Sequence, residues 1–142
     1  MKLDDLTLDL SQELEIKAAP GDVFRSLAGQ LAAIPGGDGK SMQLVLESWP
    51  GGRWFRDLGN GQGHLWGFVQ VIKPPTLLEI TGPIMMSYPV AGHLQIRLAP
   101  IAGGTLLTLR HRALGMIDPQ HREGLSMGWG KVLQAIKEGT EK

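Results

Sequence analysis

Cysteine is absent from the 142-residue chain. Disulfides, thiolate catalysis and cysteine-based zinc sites are thereby excluded. Net charge is missing too: fourteen Lys and Arg balance fourteen Asp and Glu. The halves differ mildly, with six basic against nine acidic residues in 1–71 and eight against five in 72–142. Nucleic-acid binding needs a clustered basic face, which this distribution does not supply. No run approaches the roughly 20 apolar residues of a membrane span. The opening Met1-Lys2-Leu3-Asp4-Asp5 lacks the apolar stretch of a signal peptide. A soluble cytoplasmic protein is expected, as a monomer or a homodimer. Aromatics are sparse at 6%, so the places where they fall carry weight. With no internal repeat, low-complexity tract or linker, the chain reads as one domain, 1–142, long enough for its own core.

What is present is mostly strand. Leu6, Leu8, Leu10, Leu14 and Ile16 alternate with polar residues, the period of a half-buried strand. Pro20 suits the first position of a short helix whose stripe is Val23, Phe24 and Leu27. Leu31 to Ile34 can add another turn before Pro35-Gly36-Gly37-Asp38-Gly39 ends it. Strands are then predicted over Met42–Ser48, Arg53–Leu58, His64–Lys73, Leu77–Thr81, His93–Leu98 and Thr105–His111. Tight turns separate them, Asn60-Gly61 being the strongest hairpin signal. This favours an antiparallel meander over parallel crossover units. The loop Gly82–Pro89 is unusually apolar. A final helix is predicted from Pro119 to about Lys137, with Asp118 as N-cap. At 100° per residue Leu125, Trp129, Val132, Leu133 and Ile136 fall in one arc. Gly124, Gly128 and Gly130 interrupt it, each costing roughly 0.8–1 kcal/mol relative to Ala. Close packing against the sheet is the favoured reason for Gly128, and cavity-making the alternative.

Five segments resemble, in order, those of the START-like (SRPBCC) superfamily. The branch is the one related to the C-terminal domain of the activator of the heat-shock-protein-90 ATPase. They are Ala19-Pro20-x-x-Val23-Phe24-x-x-Leu27, Pro50-Gly51-Gly52-Arg53-Trp54, Gly67-x-Val69 with Pro74-Pro75-x-x-Leu78, Gly104-Thr105-x-Leu107-Thr108-Leu109-x-His111, and Gly128-Trp129-x-x-x-Leu133. The resemblance spans about Leu14 to Lys137. It implies an α+β helix-grip fold: an antiparallel β-sheet curved around a long C-terminal α-helix, with one or two short helices after the first strand. The chain departs from the family at Leu31-Ala32-Ala33-Ile34-Pro35 and at Thr81-Gly82, where relatives commonly carry an aromatic residue; less bulk there reshapes the cavity. Relatives bind apolar ligands, assist chaperones, or act as cyclases and hydroxylase domains, so the fold does not choose among functions.

Local motifs do not point to a cofactor. Gly39-Lys40-Ser41 fails as a phosphate loop because Ile34 stands where the first glycine is needed. Gly59-x-Gly61-x-Gly63 fails as a dinucleotide fingerprint because His64 or Trp66 replaces the third glycine. His64, His93, His111 and His121 lack metal-ligand spacing. His93 alternates with Leu94, Ile96 and Leu98 and is expected to face solvent. His111 shares parity with Leu107 and Leu109, which puts it on the concave face near the strand's end. His121 lies at the edge of the helix's apolar arc. Both can serve as structural histidines capping the core, or as polar anchors for a ligand head group together with Arg122. Asp57 and Glu79 are acid–base candidates by type alone, without a nucleophile elbow.

The aromatics carry more. Trp66 and Phe68 are expected to share one strand face with Ile72, and Trp129 is central on the helix. With Trp54 they suit either a core or the apolar wall of a small-molecule pocket. Met85 and Met86 suggest a pocket lid or partner surface, because flexible thioethers fit irregular partners; the simpler alternative is packing over the sheet edge. The first expectation is therefore a binding protein for a small hydrophobic or amphipathic molecule. The ligand-binding set is Trp54, Trp66, Phe68, Met85, Met86, His111, His121, Leu125 and Trp129, in a cavity between sheet and C-terminal helix. A chaperone-assisting or other protein-interaction module is second. A cyclase- or hydrolase-like enzyme using His111 or Asp57 as base is third.

Overall fold

The computed structural model describes residues 2–141. Strand β1 (Thr7–Ile16) follows a short 3-10 turn at Leu3–Leu6 and buries Leu8 and Ile16 on its even-numbered face. Helix α1 (Pro20–Leu31) starts on Pro20 and buries Val23, Phe24, Leu27 and Leu31. It ends without a second helix: Ala32 and Ala33 donate to the carbonyls of Gly29 and Gln30 and the chain leaves.

Six strands complete the sheet: β2 (Leu44–Leu46), β3 (Arg53–Gly59), β4 (Gln62–Lys73), β5 (Leu77–Gly82), β6 (Val90–Ile101) and β7 (Gly104–Gly115). All pairings are antiparallel, in the order β1-β7-β6-β5-β4-β3-β2. β1 therefore sits beside the last strand, and the meander runs from β7 back to β2. β2 is shorter than the predicted Met42–Ser48. Glu47 and Ser48 go into a tight turn in which Gly52 is essential, since a Cβ there would lie 2.1 Å from the Glu47 carbonyl oxygen. β6 and β7 outrun the prediction because they pair from Val90↔Gly115 to Ile101↔Gly104.

Helix α2 (Pro119–Thr140) opens on Asp118, whose carboxylate accepts from the Gln120 amide at 2.8 Å. It buries Leu125, Trp129, Val132, Leu133 and Ile136, the predicted arc. These side chains lie on the concave face of the curved sheet. α1 packs beside α2, and the Ser26 hydroxyl donates to the Ile136 carbonyl at 2.9 Å. The core has two parts. A large cluster holds Trp54, Trp66, Leu94, Leu109, Trp129 and Leu133. A smaller one near the start of α2 holds Leu8, Met86, Ala113, Ile117 and Leu125. No helix among the described residues is long and apolar enough to cross a membrane.

Candidate functional site

The two clusters meet at His111. On β7 it stands between Leu109 of the large cluster and Ala113 of the small one, on the same strand face. Its cross-strand partner Leu10 packs against both clusters, and so does Met85. Above it, α2 presents Leu125 of the small cluster and, one turn on, Trp129 of the large one. The Trp129 indole donates Nε1–H to His111 Nδ1 at 3.0 Å, with the rings edge-on at 88° and centroids 5.8 Å apart. Both residues are 0% exposed.

An indole nitrogen can only donate. His111 Nδ1 must therefore be the acceptor, and the neutral ring carries its proton on Nε2. That buried nitrogen has no hydrogen-bond partner among the described residues. An unpaired buried donor costs on the order of 1–3 kcal/mol. Burial also pushes the His111 pKa down to about 4, because no counter-charge compensates the lost hydration of an imidazolium.

Beside this seam lies a groove of about 260 Å³, edged by Met85, Met86, His121, Gly124, Leu125 and Gly128. A second groove of about 280 Å³ lies along α2 between Ile34, Pro35, Gly128 and Val132. Gly128 borders both. The expectation that Gly128 serves close packing is corrected: a Cβ on Gly124 or Gly128 would meet no atom within 4 Å. These glycines weaken the helix and leave open space beside it. The space directly beneath α2 is filled, since Trp54 and Trp129 are fully buried there. The opening lies at the helix edge rather than under its centre.

The loop over this edge is strongly shaped. Ile84 is fully buried and donates its amide to the Trp66 carbonyl at 2.9 Å. Ile84 and Met85 both take left-handed backbone, with φ of +46° and +66°. A β-branched residue there is strained, so surrounding contacts must hold it. Met86 is buried and Met85 half-buried. A hydrogen bond of 2.8 Å joins Tyr88 Oη to His121 Nδ1, with the two rings tilted at 30°, and ties the loop to the first turns of α2. Tyr88 has no sequence signal as His121's partner, because only tertiary folding brings residues 33 apart together.

The other predicted residues separate. Trp54 and Trp66 are core: their rings meet edge-to-face at 5.0 Å, and Trp54 Nε1 donates to the Leu31 carbonyl at 3.0 Å. Phe68 does not share the face of Trp66. It is 44% exposed on the opposite side of the sheet. Trp54 pairs with Gly67 while Phe55 pairs with Leu65, so Trp66 is an extra residue in a bulge that reverses the alternation. Arg122 is committed to backbone, donating to the Thr7 and Asp5 carbonyls at 2.7 and 3.1 Å. A wider depression of about 790 Å³ surrounds it, but the lining Asp5 and Asp118 carboxylates are likewise bonded to backbone amides. Asp57 is exposed and accepts from the Gly59 amide. Four strand spacings separate β3 from β7, about 19 Å, so Asp57 and His111 do not form a pair. Glu79 bonds His93 Nε2 at 2.7 Å, where His93 is half-buried by this contact rather than free in solvent.

No protein-family model matches the sequence, and no curated protein does. Solved structures do match. A protein from Chromobacterium violaceum superposes with a TM-score of 0.74 at 20% identity, over 94% of this chain and 97% of that one. The likeness is one of fold. The Aha1 dimer from Colwellia psychrerythraea gives a TM-score of 0.67 at 16% identity, over 94% and 96% of the two chains. The di-domain ARO/CYC protein StfQ of the steffimycin biosynthetic pathway gives 0.69 at 18% identity, over 98% of this chain. Only 52% of StfQ is covered, so the present chain spans about half of its length. These neighbours agree with the helix-grip architecture that the START-like resemblance implies.

Proposed function

We propose that this protein binds a small hydrophobic or amphipathic molecule in the groove between α2 and the loop Pro83–Pro89. The observation that carries this reading is the open strip at Gly124 and Gly128. Two helical glycines sacrifice roughly 0.8–1 kcal/mol each, and nothing packs into the room they leave. The walls of that room are apolar and adaptable: Met85, Met86 and Leu125. His121, held by Tyr88, adds a polar group at the rim.

The chaperone-assisting or protein-binding alternative has a fold-level parallel in the Aha1 neighbour. The loop that would serve it is less suited, because Ile84 and Met86 point into the core. An enzyme of the cyclase type has a parallel in StfQ, but Asp57 lies four strands from His111, and Glu79 stands on the opposite face of the sheet, bonded to His93. Binding is the reading the groove favours.

The test is Gly128→Leu, measured with a panel of lipids and aromatic metabolites by thermal shift and calorimetry. Leu is a good helix former, so the variant is expected to be more stable than the wild type while its side chain occupies the groove. Ligand binding is expected to fall at least tenfold. A wild-type protein indifferent to the whole panel, or a variant that binds as well as the wild type, contradicts the reading.

A further inference from the structure

The unpartnered nitrogen of His111 gives the groove a chemical preference. Resting on the binding reading above, we infer that the ligand carries a neutral hydrogen-bond acceptor without a donor of its own — a ketone, ester or quinone carbonyl — that takes the Nε2–H of His111. The rest of the ligand is apolar and lies along Met86, Leu125 and Gly128.

Three observations converge on this. His111 is 0% exposed, and its Nε2 has no partner among the described residues. Its position is the seam between the two core clusters, with Leu125 and Trp129 above it. Met85 packs against both clusters and, with Met86 and Leu125 of the smaller one, edges the groove, so these side chains stand where seam and groove adjoin. Met85 sits on left-handed backbone next to a left-handed Ile84. The inferred contact requires Met85 to change rotamer so that the ligand reaches His111, which the groove does not itself touch.

Trp129 makes the preference selective. A carboxylate brought to His111 would favour an imidazolium to balance its charge. That proton would have to sit on Nδ1, which already faces the indole N–H at 3.0 Å. Two donors would then point at each other. An anion is therefore left unbalanced in apolar surroundings, which is costly. A hydroxyl would bring its own proton into a place with no acceptor. A carbonyl meets neither penalty.

The experiment uses three matched probes, 2-acetylnaphthalene, 2-naphthoate and 2-ethylnaphthalene, titrated into the wild type and into His111→Phe. In parallel, the His111 ring of ¹⁵N-labelled wild type is followed by NMR. The wild type is expected to bind the ketone at least about tenfold more tightly than the acid or the hydrocarbon. That preference should vanish in His111→Phe. The ketone should shift the Nε2–H signal, and the ethyl compound should not. Equal affinities, a preference for the acid, or an Nε2–H signal indifferent to the bound ketone overturns the anchor and leaves groove binding standing. If none of the three probes binds, the anchor and the groove reading fall together. The wild-type NMR readout stands even if His111→Phe does not fold.

Discussion

Trp129 Nε1 donates to His111 Nδ1 across 3.0 Å, and this bond decides where the imidazole keeps its proton. Because the indole cannot accept, the ring is held as the Nε2–H tautomer. A proton added to Nδ1 would break the contact. The bond sets the tautomer and so puts the unused proton on Nε2, while burial keeps the basicity low.

Stability should depend on pH through this residue. The folded pKa is depressed to about 4 from an ordinary 6.5. The unfolded chain therefore holds more protons between those values, and stability is gained as pH rises from about 4 to 6.5. The contribution is roughly 3 kcal/mol, fully present above pH 7 and lost below pH 4. Urea unfolding of wild type and His111→Gln across pH 4–7 measures it. The difference between the two isolates His111 from the carboxylates of Asp9 and Glu47. Hydrogen bonds from Arg110 and Arg53 hold those below their usual range. Parallel curves for the two proteins would refute the assignment.

Trp129→Phe removes the donor and part of a fully buried ring. A loss of about 2–4 kcal/mol is expected in urea unfolding. The ¹⁵N spectrum of His111 should change from one tautomer to a mixture. A destabilised variant that kept the single tautomer would show that something other than Trp129 selects it.

Glycines at different places should respond oppositely to the same added methyl. Gly128→Ala meets open space and should stabilise the protein by about 0.8–1 kcal/mol. Gly67→Ala places a Cβ 2.7 Å from both Ile80 Cγ2 and the Thr81 carbonyl oxygen, and should destabilise by about 1–3 kcal/mol. Equilibrium unfolding of the pair decides whether α2's glycines serve packing or space.

Phe68→Ala should change stability by less than about 1 kcal/mol and leave ligand binding alone, because the ring stands on the outer face of the sheet. Trp66→Ala, two residues away and 4% exposed, should cost about 3–5 kcal/mol. Comparable losses at the two positions would contradict the bulge that separates their faces.

Much of this was legible in the sequence where periodicity is unbroken. The 3.6-residue period of Leu125, Trp129, Val132, Leu133 and Ile136 gave the buried face of α2, and the parity of Leu107, Leu109 and His111 gave the inward histidine. Parity failed at Phe68 because one extra residue at Trp66 turns Gly67 to Val69 over, before a second shift between Val69 and Val71 returns Ile72 to the core face, and no local pattern announces a bulge. Gly128 was misread because a glycine on a helix looks the same in sequence whether a neighbour or empty space lies beside it. Other features depend on contacts distant in the chain: Tyr88 on His121, Arg122 on the Thr7 carbonyl, and the Trp129–His111 bond itself. His121 and Arg122 were visible in advance and their partners were not; Trp129 and His111 were both visible, and only the bond between them was not.

Carbonyl binding in the groove is tested most directly by mapping amide and methyl chemical shifts as 2-acetylnaphthalene is titrated into the wild-type protein. It predicts changes concentrated at Met85, Met86, Leu125 and Gly128, with the His111 Nε2–H signal moving in step. Shifts centred on Phe68 and the outer face of the sheet, or scattered over the molecule at saturation, would contradict it.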